Sequence, residues 1–158
     1  MRLKKKDVQL VLYKSRVVEN IKVYLAGGMD SNWQSNVISD LKDNFIFFNP
    51  VDHQLDKSIE YTNWDLFFVN KCDILFAYME KNNPSGFGLT LEVGYAKALG
   101  KIIILIDEKS KENIQFRNKF QIVRSSASVV FDELSRGIEY LKSFNRYKNS
   151  NDTILIPM

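Results

Sequence analysis

Cysteine and histidine are almost absent from this sequence. With one residue of each in 158, Cys72 and His53, the chain can form no internal disulfide bond and no ordinary transition-metal site built from soft ligands. A single cysteine also suits a reducing compartment, so we predict a cytoplasmic protein. Any chemistry must come from carboxylates, hydroxyls and the backbone, and we predict neither a metal nor another cofactor.

Long apolar runs and a strong excess of one charge are also missing. No apolar stretch approaches the ~20 residues that span a bilayer, and residues 8–13 are too short and interrupted for a secretory signal, which needs ~7–15 apolar residues. The formal charge of +3 is too small to indicate nucleic acid, although a pI of about 8.9 favours mildly anionic ligands. We predict no membrane and no nucleic-acid partner.

The chain does have enough apolar material for a folded domain. Apolar residues make up 45% and aromatic residues 13%, which is typical of a globular protein rather than a disordered one. We predict a single domain over residues 1–158. Residues 1–20 form an N-terminal extension whose structure the sequence leaves open, although residues 8–13 could add a strand.

Short apolar runs alternate with helical patterns along the chain. The runs predict five strands, at residues 21–26, 45–48, 74–78, 101–106 and 128–131. Helices are predicted at residues 31–42 (with Ser31 as N-cap), 59–71, 90–99 and 132–144, and residues 107–127 are predicted to be a loop with a short helix. This alternation predicts an α/β fold: a doubly wound, five-stranded parallel sheet in order 2-1-3-4-5, with helices on both faces and a crevice between strands one and three.

Two acidic residues are predicted to reach this crevice. Glu92 falls in the first turn of the helix that opens near Thr90, where the partial positive charge of a helix terminus stabilises an ionised carboxylate by ~0.3–1 kcal/mol. Asp65 lies on the helix that leads into the third strand. A carboxylate kept ionised beside an apolar pocket can attack an electrophilic carbon. The alternative is that both acids only stabilise or solvate their helices.

Three segments carry a resemblance to a known family. They read KVYLAGGMDSNW (residues 22–33), WDLFFVNKCDILFAYM (64–79) and GFGLTLEVGYAKALGK (86–101). Together they resemble the nucleoside 2-deoxyribosyltransferase family and its relatives, the 2′-deoxynucleoside 5′-phosphate N-hydrolases, over residues 21–106. The most specific part is the pattern G-x-T-x-E-x-G-Y-A at residues 88–96. No G-x-G-x-x-G follows the first strand, so a dinucleotide-dependent oxidoreductase is disfavoured.

The resemblance implies a role for three residues. Glu92 matches the nucleophile, Asp65 matches the acid that assists the chemistry, and Tyr24 matches a tyrosine that positions or tunes the glutamate. It implies a small-molecule substrate and an enzyme that cleaves or exchanges the N-glycosidic bond of a deoxyribonucleoside through a covalent glycosyl-glutamate intermediate. Two alternatives stay open: an N-glycosidase acting on a nucleoside 5′-phosphate, and a nucleotide-binding module that does not turn its ligand over.

The loop before the helix departs from the transferases. Some of them carry an acid six residues before the nucleophile, where this chain has Gly86. The N-hydrolases have serine near that position, and Ser85 is adjacent. With Gly88 and Thr90, these residues could receive a sugar hydroxyl or a 5′-phosphate, since backbone amides at a helix start bind anions. Ser85 could equally be only a turn residue.

Further substrate contacts are predicted at two other loops. Gly27 and Gly28 are expected to keep side chains away from the sugar, and Trp33 could stack on the base, although a tryptophan on an apolar helix face is more often core. The loop at residues 52–54 could read a base edge. Within it, His53 is expected to be an exposed loop histidine rather than a catalyst.

A homo-oligomer, at least a dimer, is also implied by the resemblance, because the family's active sites are often completed by a neighbouring subunit. The candidates for this role are Arg124, Ser125 and Ser126, or the tail at residues 153–158. The tail is apolar, whereas free tails tend to be polar.

Overall fold

The computed structural model describes residues 20–146 and contains the predicted sheet. The elements, in chain order, are β1 (Ile21–Gly27), α1 (Trp33–Leu41), β2 (Phe45–Phe48), a 3-10 turn (Pro50–His53), α2 (Ser58–Lys71), β3 (Ile74–Met79), α3 (Phe87–Ala98), β4 (Ile102–Asp107), α4 (Lys109–Glu112), α5 (Ile114–Ser126), β5 (Val129–Phe131) and α6 (Leu134–Arg146). All neighbouring strands pair in parallel, in the order β2-β1-β3-β4-β5. The predicted doubly wound α/β fold is confirmed.

Helices cover both faces of the sheet, so its central strands are apolar on both sides. Every residue of β3 is buried, as is usual for a strand inside a parallel sheet. One face carries Tyr24 and Leu75 and packs against α2, α3 and α5. The other face carries Val23 and Phe76 and packs against α1 and α6. Successive residues of a strand point to opposite faces, so Tyr24 and Val23 belong to different cores.

Two predicted helix starts are wrong. Ser31 is not an N-cap: α1 begins at Trp33 after Asn32, and the Ser31 hydroxyl instead donates a hydrogen bond to Glu80. Helix α3 begins at Phe87 rather than near Thr90, because Gly86 adopts the left-handed conformation (φ +80°) that ends the preceding loop, and its carbonyl accepts the amide of Thr90. Glu92 therefore lies in the second turn of α3, and no acid occupies the first turn.

The region at residues 107–127 is more helical than predicted. It contains α4 and the longer α5, whose first turn is capped by Asn113 accepting a hydrogen bond from the amide of Phe116. The predicted strand at residues 8–13 and the apolar tail at residues 153–158 lie outside the described residues. Over residues 20–146, no helix is both long and apolar enough to cross a membrane.

Candidate active site

Tyr24 joins the two acids that the sequence singles out. It stands in the middle of β1, fully buried, on the sheet face covered by α2 and α3. Its Oη lies 2.8 Å from Oδ1 of Asp65 and 2.8 Å from Oε1 of Glu92. Strand β1 thus holds the phenol between one carboxyl group from α2 and one from α3.

Tyr24, Asp65 and Glu92 form a triad, and the number of protons that they share limits its net charge. A phenol has one proton, so Tyr24 can donate in only one of its two contacts. For the other contact to be a hydrogen bond as well, a carboxyl group must carry a proton and donate it to the phenol oxygen. Both short contacts are therefore satisfied when one of Asp65 and Glu92 is ionised and the other is protonated. Such a pair supplies an acid and a base at one site.

Burial sets the acidity of all three groups. Glu92 is 7% exposed, and its burial raises the pKa of the carboxyl group to about 7, against the lowering effect of the hydrogen bond from Tyr24. Burial also raises the pKa of Asp65, while Tyr24 and His53 act to lower it. Burial, followed by the charge of Glu92, raises the pKa of Tyr24 far above the neutral range. Glu92 does not lie in the first turn of its helix as predicted, and desolvation has the largest effect on its pKa.

His53 is the residue that sequence reasoning misjudged most. Its side chain is 7% exposed, not an exposed loop side chain, and its Nε2 lies 3.9 Å from Oδ1 of Asp65. The Nδ1 atom accepts the amide of Leu55 at 2.9 Å, which places the proton of the neutral ring on Nε2, the nitrogen nearest to Asp65. Among the described residues, that nitrogen has no hydrogen-bond partner. His53 is thus a buried donor beside the candidate acid.

The two tryptophans lie on opposite faces of the sheet. Trp33 is 4% exposed and packs in the opposite core, with its Nε1 donating to the carbonyl of Gly28. It is a core residue, so the expectation that it stacks on a base is wrong. Trp64 instead lies beside the triad, with its ring centroid 6.5 Å from that of Tyr24 and 5.1 Å from that of His53. Its position directly before Asp65 in the sequence was the available signal.

The two glycines at the end of β1 are explained by contacts within the protein itself. A Cβ on Gly27 would lie 2.7 Å from the carbonyl oxygen of Tyr78, so no side chain fits there. The carbonyl of Gly28 accepts hydrogen bonds from Trp33 and from the Gln34 amide. The contact with Tyr78 alone explains why residue 27 is glycine, so the predicted clearance for a sugar is not needed to explain Gly27. Gly28 also lines a cavity of ≈ 410 Å³ at this edge of the sheet.

The loop before α3 leaves some predicted groups open and others engaged. Ser85 is exposed, and its amide donates to the side chain of Asn83. Gly86 is buried, and a Cβ there would lie 2.2 Å from Cε of Met79. No atom lies within 4 Å of the corresponding position on Gly88, whereas the hydroxyl of Thr90 donates to a carbonyl in its own helix. Roles for Ser85, Gly86, Gly88 and Thr90 in substrate binding stay predictions.

Three of the candidates for action in a neighbouring subunit lie in the described part of the chain, and each has a partner there. Arg124 pairs with the fully buried Asp107. The hydroxyl of Ser126 donates to the carbonyl of Ile122, and that of Ser125 accepts the side chain of Gln121 at 3.4 Å. No group of three potential metal ligands of the His, Cys, Asp or Glu type occurs within residues 20–146.

The site thus consists of a buried Glu92 and a part-buried Asp65, both held at Tyr24, and any chemistry there would be that of carboxyl groups. A comparison with protein families identifies the family of the chain. Residues 20–110 match the family described as nucleoside 2-deoxyribosyltransferase like, which is more than half of the chain. The protein belongs to this family, as the resemblance predicted. A comparison with curated proteins gave no match.

Two solved structures share the fold. The 2-desoxiribosyltransferase from Leishmania mexicana is similar with a TM-score of 0.57 and 18% identity, over 78% of this chain and 97% of that one. The CMP N-glycosidase of Clostridium botulinum is similar with a TM-score of 0.51 and 20% identity, over 77% of this chain and 98% of that one. At these identities the likeness concerns architecture.

Proposed function

We propose that this protein is an enzyme that cleaves or exchanges the N-glycosidic bond of a deoxyribonucleoside, with Glu92 as nucleophile. The observation that carries the proposal is the position of Tyr24 Oη, 2.8 Å from both carboxyl groups. Retaining glycosyl chemistry needs two carboxyl groups in different protonation states. The family membership and the burial of Glu92 support the same reaction class.

In the first step, an ionised Glu92 oxygen attacks the anomeric carbon of the sugar. The bond from that carbon to the base nitrogen breaks, its electron pair stays with the base, and the base takes a proton from Asp65. The products are a glycosyl ester on Glu92 and a free base. In the second step, an acceptor attacks the same carbon, Asp65 recovers a proton from the acceptor, and the carboxylate of Glu92 is released.

Neighbouring groups support the separate roles of Glu92 as nucleophile and Asp65 as acid. Burial keeps a proton on Glu92 below about pH 7. Because Tyr24 contacts both carboxyl groups, it can take this proton from Glu92 and pass its own to Asp65, which leaves Glu92 ionised for attack and Asp65 protonated. The Nε2 proton of His53 stabilises Asp65 once that residue has become a carboxylate. The ring of Trp64, at the edge of the triad, offers an aromatic face for the base.

The identity of the acceptor separates transfer from hydrolysis. Exchange with a second base makes the protein a transferase, which the motif at residues 88–96 favours. One observation favours hydrolysis of a nucleoside 5′-phosphate: Gly86 stands where some transferases carry an acid, and its left-handed backbone (φ +80°) disfavours other residues there. The first amide groups of α3 have no acceptor within their own helix, and such groups bind anions in other proteins.

Product analysis decides between these reactions. The protein should be incubated with deoxynucleosides, and separately with their 5′-monophosphates, in the presence and absence of a free acceptor base. A new nucleoside identifies a transferase, and free sugar or sugar phosphate identifies a hydrolase. If every substrate stays intact while nucleotides still raise the melting temperature, the protein is a binding module and the proposed catalysis is wrong.

The nucleophile is tested by trapping and by substitution. A 2-fluoro-substituted nucleoside should leave a sugar adduct on the peptide that contains Glu92, detected by mass spectrometry. Glu92→Gln should lower turnover by several orders of magnitude while substrate still binds, because the amide keeps the shape but cannot form the ester. The matched control, Glu139→Gln, removes an exposed carboxylate from α6 and should keep normal turnover. An adduct on another residue contradicts the assignment.

We further propose that the active enzyme is a homo-oligomer in which a second copy covers the start of α3. Phe87 is 81% exposed and Leu91 54% exposed, and their spacing places both on one side of this helix. Light scattering of Phe87→Ser should show a smaller particle than wild type, whereas Ile122→Ser, equally exposed on α5, should not change the assembly. A monomeric wild type with full activity removes this proposal.

A further inference from the structure

A second cavity, of ≈ 400 Å³, lies at the carboxyl ends of β4 and β5, where α4, α5 and α6 meet. It shares no residue with the carboxylate site on β1, α2 and α3. Four cationic side chains line it, against two acidic ones: Lys111, Arg117, Arg124 and Arg136, with Asp107 and Asp132. Glu133, outside the lining, also pairs with Lys111 at 3.1 Å, so the excess positive charge of the cavity amounts to about one unit.

The two acids are already occupied. Asp107, fully buried, accepts the amide of Ser110 with Oδ1 and pairs with Arg124 through Oδ2. Asp132 lies 3.7 Å from Arg136 and 3.9 Å from Lys111. Arg117 is exposed, and no ion pair to it occurs within residues 20–146. The guanidinium of Arg117 is thus available to an anion.

Ser110 adds a neutral donor to this charge. The residue is 4% exposed and lines the cavity. Within the described part of the chain its Oγ has no hydrogen-bond partner, which is unusual for a buried hydroxyl. A ligand oxygen in the cavity would complete its bonding. Proteins commonly bind phosphate with the guanidinium groups of arginine together with hydroxyl donors.

We propose that this cavity is a binding site for a phosphate group, either inorganic phosphate or a small phosphomonoester. Arg117 and Arg136 would supply charge-assisted hydrogen bonds, and Ser110 a neutral one. Arg124 is held by Asp107 and keeps the wall of the cavity in place. The volume lies within the range of small-molecule pockets, ~300–1,000 Å³, which leaves room for the organic part of an ester. The proposal does not depend on the reaction at Glu92.

Thermal unfolding in sodium phosphate tests the site, with sodium chloride at equal ionic strength as reference. The melting temperature should rise and saturate with phosphate but not with chloride, because a ligand that binds only the folded state stabilises it. Arg117→Gln and Arg136→Gln should each weaken phosphate binding about tenfold, the usual loss for a charge-assisted hydrogen bond. Ser110→Ala should weaken it less.

The matched control is Lys119→Gln, which removes one exposed positive charge from α5 outside the cavity and should leave phosphate affinity unchanged. Glycerol 3-phosphate serves as the ester probe: tighter binding than inorganic phosphate identifies an ester site, and equal binding a site for the free ion. A phosphate effect equal to that of chloride, or equal losses in Lys119→Gln and Arg117→Gln, would overturn the proposal.

Discussion

Replacing Glu92 with glutamine should make the protein more stable at alkaline pH while removing its proposed activity. Burial raises the pKa of this carboxyl group from 4.5 to about 7 in the folded protein. The folded state therefore keeps a proton that the unfolded chain has lost between these two values. The contribution of this proton to stability is fully present below pH 4.5 and is lost as the pH rises through 7.

The magnitude follows from the two pKa values. Their difference corresponds to about 3 kcal/mol, at about 1.4 kcal/mol for each pH unit. Glutamine carries no charge at any pH, and its carbonyl can still accept the hydrogen bond from Tyr24. We therefore expect Glu92→Gln to match wild type near pH 4.5 and to exceed it by up to about 3 kcal/mol at pH 8, or roughly 6–12 °C in melting temperature.

Urea unfolding at several pH values between 4.5 and 8 measures this difference, provided that both proteins unfold with the same dependence on urea. Glu139→Gln is the control, because an exposed carboxylate should change stability by less than about 0.5 kcal/mol across the range. If the stability difference between Glu92→Gln and wild type stays the same at every pH, folding does not shift the pKa of Glu92, and the argument from burial is refuted.

Four further predictions concern Glu92 and residues around the site. The pH profile of kcat/KM should rise through about pH 7 as Glu92 ionises. Tyr24→Phe should move that rise to higher pH, since the lost hydrogen bond lowered the pKa of Glu92. His53→Phe keeps a ring but removes the nitrogen facing the second carboxylate, and kcat should fall most for substrates with poor leaving bases, as steady-state kinetics would show. Gly86→Ala should lower stability by at least about 1 kcal/mol because of its left-handed backbone, whereas Gly88→Ala, with open space around it, should be neutral or stabilising in the same urea assay.

The sheet was readable from the sequence because its strands are buried on both faces. The run Ile74–Met79 has no polar residue, and such a run between turn signals has few interpretations other than a central parallel strand. Strand order followed from alternation with helices. The start of α3 was misplaced by three residues because Gly86 was read as part of a loop rather than as its last residue. Because of this shift, Glu92 lies beyond the first turn, where the helix dipole would stabilise its charge, and burial instead disfavours its ionised form.

The positions of Trp33 and Trp64 on opposite faces of the sheet show what a periodic pattern cannot predict. Hydrophobic spacing indicates that a helix has a buried side, but not which face of the sheet that side meets. In the order 2-1-3, the connections on either side of β2 run in opposite directions along the sheet. Right-handed crossovers then place α1 and α2 on opposite faces. The predicted order was therefore sufficient to separate Trp33 from Asp65, whose helix α2 carries Trp64 as well.

No such rule could have located His53, because its position depends on a loop conformation. The 3-10 turn that ends at this residue and the left-handed Gln54 (φ 50°) direct the imidazole inwards against α2. There it meets Asp65 and Trp64. Turn chemistry of this kind has weak sequence signals, so the histidine of this loop was assigned to solvent. The role of the loop in reading a base stays a prediction.

The burial that weakens the fold at neutral pH would also suit these acids to the proposed glycosyl chemistry. An exposed carboxylate pair would be ionised on both members near pH 7, because ordinary pKa values lie near 4. The reaction needs one proton on the pair, and desolvation of Glu92 and Asp65 retains it. Tyr24 makes the retained proton useful, since its single hydroxyl connects the two groups at 2.8 Å each. Returning either acid to solvent should therefore stabilise the charged form and reduce turnover together, which is the trade-off expected at a functional site.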